Sequence, residues 1–465
     1  MNSSHSNAVL LFAILALAPL AVAQEPLPRP AWKFLRQDED WSRFVQPEGG
    51  AALDSFKRIA VDDSGNLWLS FGGRAEARFE AWDGFGFGAV TPGNEDEFLL
   101  SRLMLHADAH FGSVARVFVE GITAQSTDRD LPGGRRTLDM DSLDLQQAFL
   151  DVTPDPERKL RLRLGRQAFS FGNQRLVSAL PWANTLNRWE GLSVLGQSGP
   201  WQVHGLLTWY VPVDKTEANE RDDDRSLYGV YATRTPEKGG VGLDLYLLGD
   251  TRPNLTINGT SGDERRHTFG ARGWGPFAER GDWEVEAAWQ FGEVGSADVS
   301  AWMLTAVGGW KFPDGAGTPR LFAGLDLASG DSASGGDVGT FHQLYPLGHA
   351  HLGFADVIGR QNIAAANVGV GWTLGPATTL AATAHAFRLM DTDDALYGVG
   401  GTVSRAGGFD SADVGQELDV LLRHKLSTHF DVYAGYSHFF SGAAIAEGAT
   451  DDDIDFAYVG AAFTF

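Results

Sequence analysis

Apolar and polar residues alternate one by one along most of this chain, the period of a half-buried β-strand rather than of a helix. At the carboxyl end Ala457, Val459, Ala461, Phe463 and Phe465 form one apolar face, while Tyr458, Gly460 and Thr464 fall on the other. From Leu67 to Ala81, six apolar residues (Leu69, Phe71, Ala75, Ala77, Phe79, Ala81) alternate with Arg74, Glu76, Arg78 and Glu80. Leu99 to Phe111 repeats the arrangement, with Leu103, Leu105, Ala107 and Ala109 against Arg102, His106, Asp108 and His110. The turn at Phe111-Gly112-Ser113 leads into a third strand carrying Arg116 and Glu120 on its polar face. Such a charged strand face needs water, which a soluble sandwich and a barrel lumen supply equally. The chain's end favours the barrel: an unpaired, aromatic-tipped edge strand invites aggregation, and closure against the first strand removes the edge.

Further candidate strands lie at 142–152, 159–167, 189–195, 201–212, 226–234, 241–250, 266–274, 283–293, 299–312, 320–328, 363–374, 378–390, 415–426 and 430–440, which with the closing strand makes about eighteen. Bacterial outer-membrane barrels have even numbers of strands. The connections sort by length. Short ones fall around Gly112 and at 154–158, 197–199, 236–240, 276–282, 313–319, 375–377 and 427–429. Long ones alternate with them, at 82–97, 127–141, 168–188, 213–225, 251–265, 329–362, 391–414 and 441–454; only 294–298 is short on the long side. Short periplasmic turns alternating with long extracellular loops mark a transmembrane barrel. The pattern therefore predicts an all-β fold: a single closed antiparallel transmembrane β-barrel of about eighteen strands over residues 67–465.

Composition narrows this further. No apolar run in the mature chain is long enough for a membrane helix, and 57 Gly, 14 Trp and a mean hydropathy of -0.16 suit a barrel. The chain has no Cys, so neither disulfides nor thiol chemistry enter. A net charge of -23 argues against nucleic acid as a partner. An apolar run from Ala8 to Leu20 followed by Ala21-Val22-Ala23 reads as a signal peptide over 1–23, although its start lacks Lys or Arg. Residues 24–66, mixed in character, read as a periplasmic lead-in.

With the strands placed, several segments resemble the alginate export family of outer-membrane barrels. They are RQDEDWSRF (36–44), DSFKRIAVDDSGNLWLSFGGRAEARFE (54–80), LRLGRQAFSFGNQRLVSALPWANTLNRWEGLSV (162–194), FHQLYPLGHAHLGFADVIGRQNI (341–363), and YSHFFSG (436–442) with the closing DFAYVGAAFTF. The resemblance implies an eighteen-stranded channel in the Gram-negative outer membrane, passing alginate or a related anionic uronate polymer or its fragments through an Arg-rich lumen. It also implies outer-membrane lipid, and periplasmic polymer-export proteins, as partners. A general or sugar-uptake porin for small solutes is the alternative. No cofactor is expected, and a monomer suffices for a barrel of this size.

The inward faces supply Arg74, Arg78, Arg102, Arg116, Arg161, Arg163, Arg272, Arg423 and Lys425, set against Glu76, Glu80, Asp108, Glu120, Glu417 and Asp419. Guanidinium forks pair with carboxylates, so the arginines suit a carboxylated sugar; equally, such arrays hold a porin's shape and field. The long segment after Gly165 is expected to fold into the lumen as a constriction, contributing Arg166, Asn173, Gln174, Arg175, Asn184 and Arg188 beside Phe169, Phe171, Trp182 and Trp189. The two tryptophans fit either a sugar platform or the interfacial aromatic girdle. No periplasmic turn exceeds about ten residues, so any plug is expected from external loops or from 24–66. His342, His349, His351 and Asp356 match no metal-ligand spacing and read as loop packing. The Asp runs 222–224 and 451–453 read as solvated loop tips rather than Ca2+ sites. An enzyme is not expected: no G-x-S-x-G elbow occurs, and Ser437 and His438, being adjacent, point to opposite faces of their strand.

Overall fold

A computed structural model describes residues 29–45, 52–88, 93–155, 159–333 and 335–465. The expected signal peptide over 1–23 lies outside them. Eighteen strands form one closed antiparallel barrel, and a two-residue strand, Ile59–Ala60, pairs with the start of the first of them. In chain order they are Leu67–Asp83, Asp96–Phe111, Ala115–Ser126, Asp141–Asp155, Leu160–Gln167, Trp189–Ser198, Trp201–Tyr210, Ser226–Arg234, Gly242–Ile257, Thr260–Phe277, Gly281–Val294, Ala297–Lys311, Arg320–Ala328, Ile363–Thr373, Thr378–Leu389, Asp413–Lys425, Phe430–Ser441 and Ile454–Thr464. Each pairs with the next, and the first closes on the eighteenth from Arg74 opposite Thr464 to Asp83 opposite Asp455. Phe465 exchanges two backbone hydrogen bonds with Gly73, both 3.0 Å, which completes the seam. The barrel is therefore closed, and the aromatic terminus has its partner.

Burial is inverted relative to a soluble protein. Leu99, Leu103 and Leu105 are exposed, while Arg102, His106 and Asp108 on the same strand are buried. Lipid satisfies the first set, and a polar lumen the second. Exposed Phe111, Phe277, Trp310 and Phe312 stand at the level of the short turns, where an aromatic girdle belongs.

One connection departs from expectation. Residues 251–265 were expected as a long loop, but the ninth and tenth strands run on until Ile257 pairs with Thr260 across Asn258-Gly259. Asn and Gly there have φ of 40° and 80°, and Asn-Gly is the strongest two-residue hairpin signal. The neighbouring turn at 295–296 is equally tight. Two adjacent hairpins thus rise as ribbons where loops would otherwise fold inward.

Candidate functional site

The lumen is filled from both ends. From the external side, residues 168–188 and 329–362 descend into it and meet: Ser178 N–H donates to Tyr345 O at 2.9 Å, Tyr345 N–H to Leu176 O at 2.8 Å, and Leu347 N–H to Gln174 O at 2.9 Å. From the periplasmic side comes the lead-in. Its Arg36 is buried and donates to Gly73 O at 3.1 Å and Phe465 O at 3.0 Å, so it clamps the barrel seam. Gln37 bonds Ala168 O at 3.4 Å and accepts from Gln147 at 2.9 Å, which puts the lead-in against the start of the inward loop. Both expected sources of a plug are therefore present.

Lys57 secures the lead-in at a second point. Its ammonium donates to Phe71 O at 2.6 Å and lies 5.0 Å over the Trp41 ring. Only glycine fits beneath it at position 72, because a Cβ there would come 2.5 Å from the Lys57 Nζ and 2.6 Å from the His106 ring. Burial, aided by Arg36, pushes the Lys57 ammonium down to about 8. Between about 8 and the ordinary 10.5 the unfolded chain then binds more protons than the folded one, so stability rises with pH across that window. Urea unfolding in micelles at pH 7.5, 8.5 and 9.5 checks this, and Lys57→Met should flatten the rise.

Apart from Arg161, taken with its cavity below, the arginines expected to line the pore end up in distinct settings. Nine form ion pairs: Arg74 and Arg102 with Glu76, Arg78 with Glu80, Arg116 with Asp108, Arg163 with Asp151, Arg166 with Asp144 and Glu190, Arg175 with Glu284 and Glu286, Arg188 with Asp141, and Arg272 with Asp244. Arg116 and Arg163 are bidentate, at 2.7–2.9 Å. Only Arg423 lacks a carboxylate partner among the described residues; it lies 5.6 Å over the Tyr433 ring. Arg166 is a correction, since it does not face the lumen. It alternates away from Arg161 and Arg163 across Leu162 and Leu164, whose side chains are exposed, and it sits under the loop that carries Asn219.

The tryptophans belong to neither expected setting. Trp182 lies inside the barrel with both faces covered: the Arg78 guanidinium 3.8 Å from its centroid and the His349 ring stacked at 3.6 Å. Trp189 is 0% exposed, packed among Phe169, Tyr210 and Tyr345. A covered indole cannot stack a pyranose, so both tryptophans lock loops to the wall.

The four loop residues considered for a metal also separate. His349 Nδ1 is 3.0 Å from Asp356, and His351 Nε2–H donates to Asn173 O at 2.8 Å, while His342 lies 3.2 Å from Glu264. Burial, with Arg175 and Arg360 nearby, holds His351 well below the ordinary histidine value, hence neutral. Ser437 and His438 do diverge. Ser437 is buried with Glu417 and Asp419, whereas His438 contacts Asp455 at 2.8 Å.

Two cavities remain in the periplasmic half of the lumen. The larger, about 880 Å³, is lined by Lys33, Lys159 and Arg161 together with Phe171, Gln202 and Tyr231. Lys33 and Lys159 enter no ion pair among the described residues, and Arg161 stands 3.6 Å from an Asp151 already held by Arg163. Asp38 and Asp40 of the lead-in stand at the same cavity. The second, about 780 Å³, has Trp274 and Phe322 as apolar shelves beside Glu284, Arg320, Asn367 and Thr383. Sequence reasoning missed Trp274, although its alternation with Arg272 was the available signal.

The comparisons with known proteins agree with this architecture. The family model described as alginate export matches residues 67–458. Among solved structures, OccK2 (OpdF) of Pseudomonas aeruginosa in complex with glucuronate superposes with a TM-score of 0.58 at 13% identity, over 85% of this chain and 98% of that one. A BenF-like porin from Pseudomonas fluorescens Pf-5 gives 0.58 at 12%, over 88% and 100%. OccAB2 of Acinetobacter baumannii gives 0.58 at 10%, over 85% and 98%. No curated protein matches the chain by sequence. At these identities the structural likeness speaks for the fold alone: an outer-membrane porin barrel.

Proposed function

The chain belongs to the alginate export family of outer-membrane channels, and from that premise we propose that it passes an anionic saccharide of the uronate class. The observation that carries this is the larger cavity, where Lys33, Lys159 and Arg161 offer charge not consumed by bidentate pairing. A uronate unit presents a carboxylate at one edge, so cations gathered along the passage suit it. The glucuronate bound in OccK2 is the same chemical class. Beyond this cavity, Arg320 and Asn367 line a second one, where a sugar's carboxylate and hydroxyls find polar partners. Shallow, repeated contacts let a charged chain advance where one deep site would hold it.

On this reading the paired arginines of the inward faces shape the lumen and its field, and the less committed cations make the encounter. Planar-bilayer recordings test it. An oligo-uronate should block current from the periplasmic side more strongly than a neutral oligosaccharide of equal length. In a Lys159→Ala/Arg161→Ala double variant the block should weaken about tenfold, the equivalent of about 1.4 kcal/mol. Equal block by charged and neutral sugars, or no change in the variant, would contradict the assignment and leave a general porin.

A further inference from the structure

Near the external end, the ninth and tenth strands and the inward loop bring together Asp250, Glu264 and His342, which are 1%, 2% and 4% exposed. We propose that these three side chains bind a divalent transition-metal ion of the zinc class, which clasps the loop 329–362 to the barrel wall.

Three observations support the site. Asp250 Oδ1 is buried without a hydrogen-bond partner, and Glu264 Oε2 and His342 Nδ1, equally buried, have no side-chain partner but each other, a costly arrangement where the unpartnered carboxylate oxygen faces the other two. They lie within 4.8 Å of one another, with His342 Nδ1 and Glu264 Oε2 3.2 Å apart. Tetrahedral ligands at zinc-bond lengths are separated by about 3.4 Å, so the closest pair already has the required spacing, and the third lies no more than 4.8 Å from either.

The remaining atoms of each side chain are anchored, which aims the orphaned ones. Asp250 Oδ2 accepts from Arg252 at 2.7 Å, and Glu264 Oε1 from Arg266 at 2.6 Å. The His342 backbone is gripped from both sides by Gln290, its N–H donating at 2.9 Å and its carbonyl accepting at 2.7 Å. Outer contacts that orient first ligands in this way are typical of metal sites.

The donor set decides the ion. Two carboxylates and an imidazole suit zinc or manganese, while calcium prefers six to eight oxygens. Arg252 and Arg266 already balance the carboxylates, which weakens binding relative to a site with unpaired carboxylates. The clasp would add to direct bonds on the same loop, where Arg266 donates to Thr340 O at 3.0 Å and Arg252 to Leu344 O at 2.9 Å.

The test uses the purified full-length protein in micelles, freed of metal by chelation and dialysed against ZnCl2. Elemental analysis should find saturable binding at one ion per chain. His342→Ala should abolish it and Asp250→Asn weaken it about tenfold, with barrel folding verified by heat-modifiable gel migration. His438→Ala serves as control, because His438 with Asp453 and Asp455 forms a half-buried competitor cluster. In bilayers, micromolar ZnCl2 should quieten open-channel current fluctuations in the parent and not in His342→Ala. No saturable zinc binding in the micromolar range, or binding lost in His438→Ala and kept in His342→Ala, would overturn the proposal.

Discussion

An Arg360→Ala variant should lose about 3–5 kcal/mol of stability and conduct several-fold more current than the parent. Arg360 is fully buried and holds three parts of the lumen at once. Its guanidinium makes three hydrogen bonds of 2.9–3.0 Å to Asp326 on the wall and one of 3.0 Å to Arg175 O on the first inward loop. Its own N–H donates to Gln343 Oε1 at 2.7 Å within the second loop. Removing the side chain leaves the buried Asp326 carboxylate unpaired, the costly way to break an internal ion pair. It also unties the two loops from each other and from the wall. Arg360→Lys should not rescue, because a lysine cannot form the planar fork that Asp326 receives. Urea unfolding in micelles reads the first effect and single-channel conductance the second; an unchanged conductance would mean that these loops do not limit the pore.

The second large effect is expected at the opposite mouth. Deleting residues 29–58 should raise conductance several-fold and leave the barrel folded, because closure rests on the pairing of Leu67–Asp83 with Ile454–Thr464. The lead-in fills space through Arg36, Gln37 and Trp41, all buried. It also braces the seam, since Arg36 donates to both Gly73 O and Phe465 O. The deletion should therefore lower the urea midpoint modestly and cost the cavity its Lys33. A conductance equal to that of the parent would show that the external loops alone set the constriction. Measured together with Arg360→Ala, the deletion separates the two ends of the pathway.

The barrel was legible because its signal is periodic and repeated. Alternation sorts lipid from lumen on each strand, and loop lengths sort one side of the membrane from the other. The error at 251–265 arose where polar ribbons extend beyond the membrane and lose the apolar half of the pattern. Asn258-Gly259 was the local cue that survived. Inside the lumen, residue type alone could not tell a covered tryptophan from a girdle one, because Trp182 owes its setting to Arg78 and His349, distant in sequence.

Charge pairing was partly readable after all. Arg74-x-Glu76, Arg78-x-Glu80, Asp250-x-Arg252 and Glu264-x-Arg266 place opposite charges two residues apart, hence on one face of one strand, and each forms its ion pair. Pairs across strands, such as Arg163 with Asp151, needed the register. Most of the arginines expected at the lumen are therefore balanced by contact, and on the proposed reading the less committed cations mark where an anion is met.

The most direct measurement is flux. Proteoliposomes loaded with a mixture of labelled oligo-uronate and a neutral oligosaccharide of equal length, then followed for release, compare the two solutes in one pore. An anionic-saccharide channel releases the uronate faster, and the preference shrinks in Lys159→Ala/Arg161→Ala. Equal release of both sugars, or faster release of the neutral one, would contradict it.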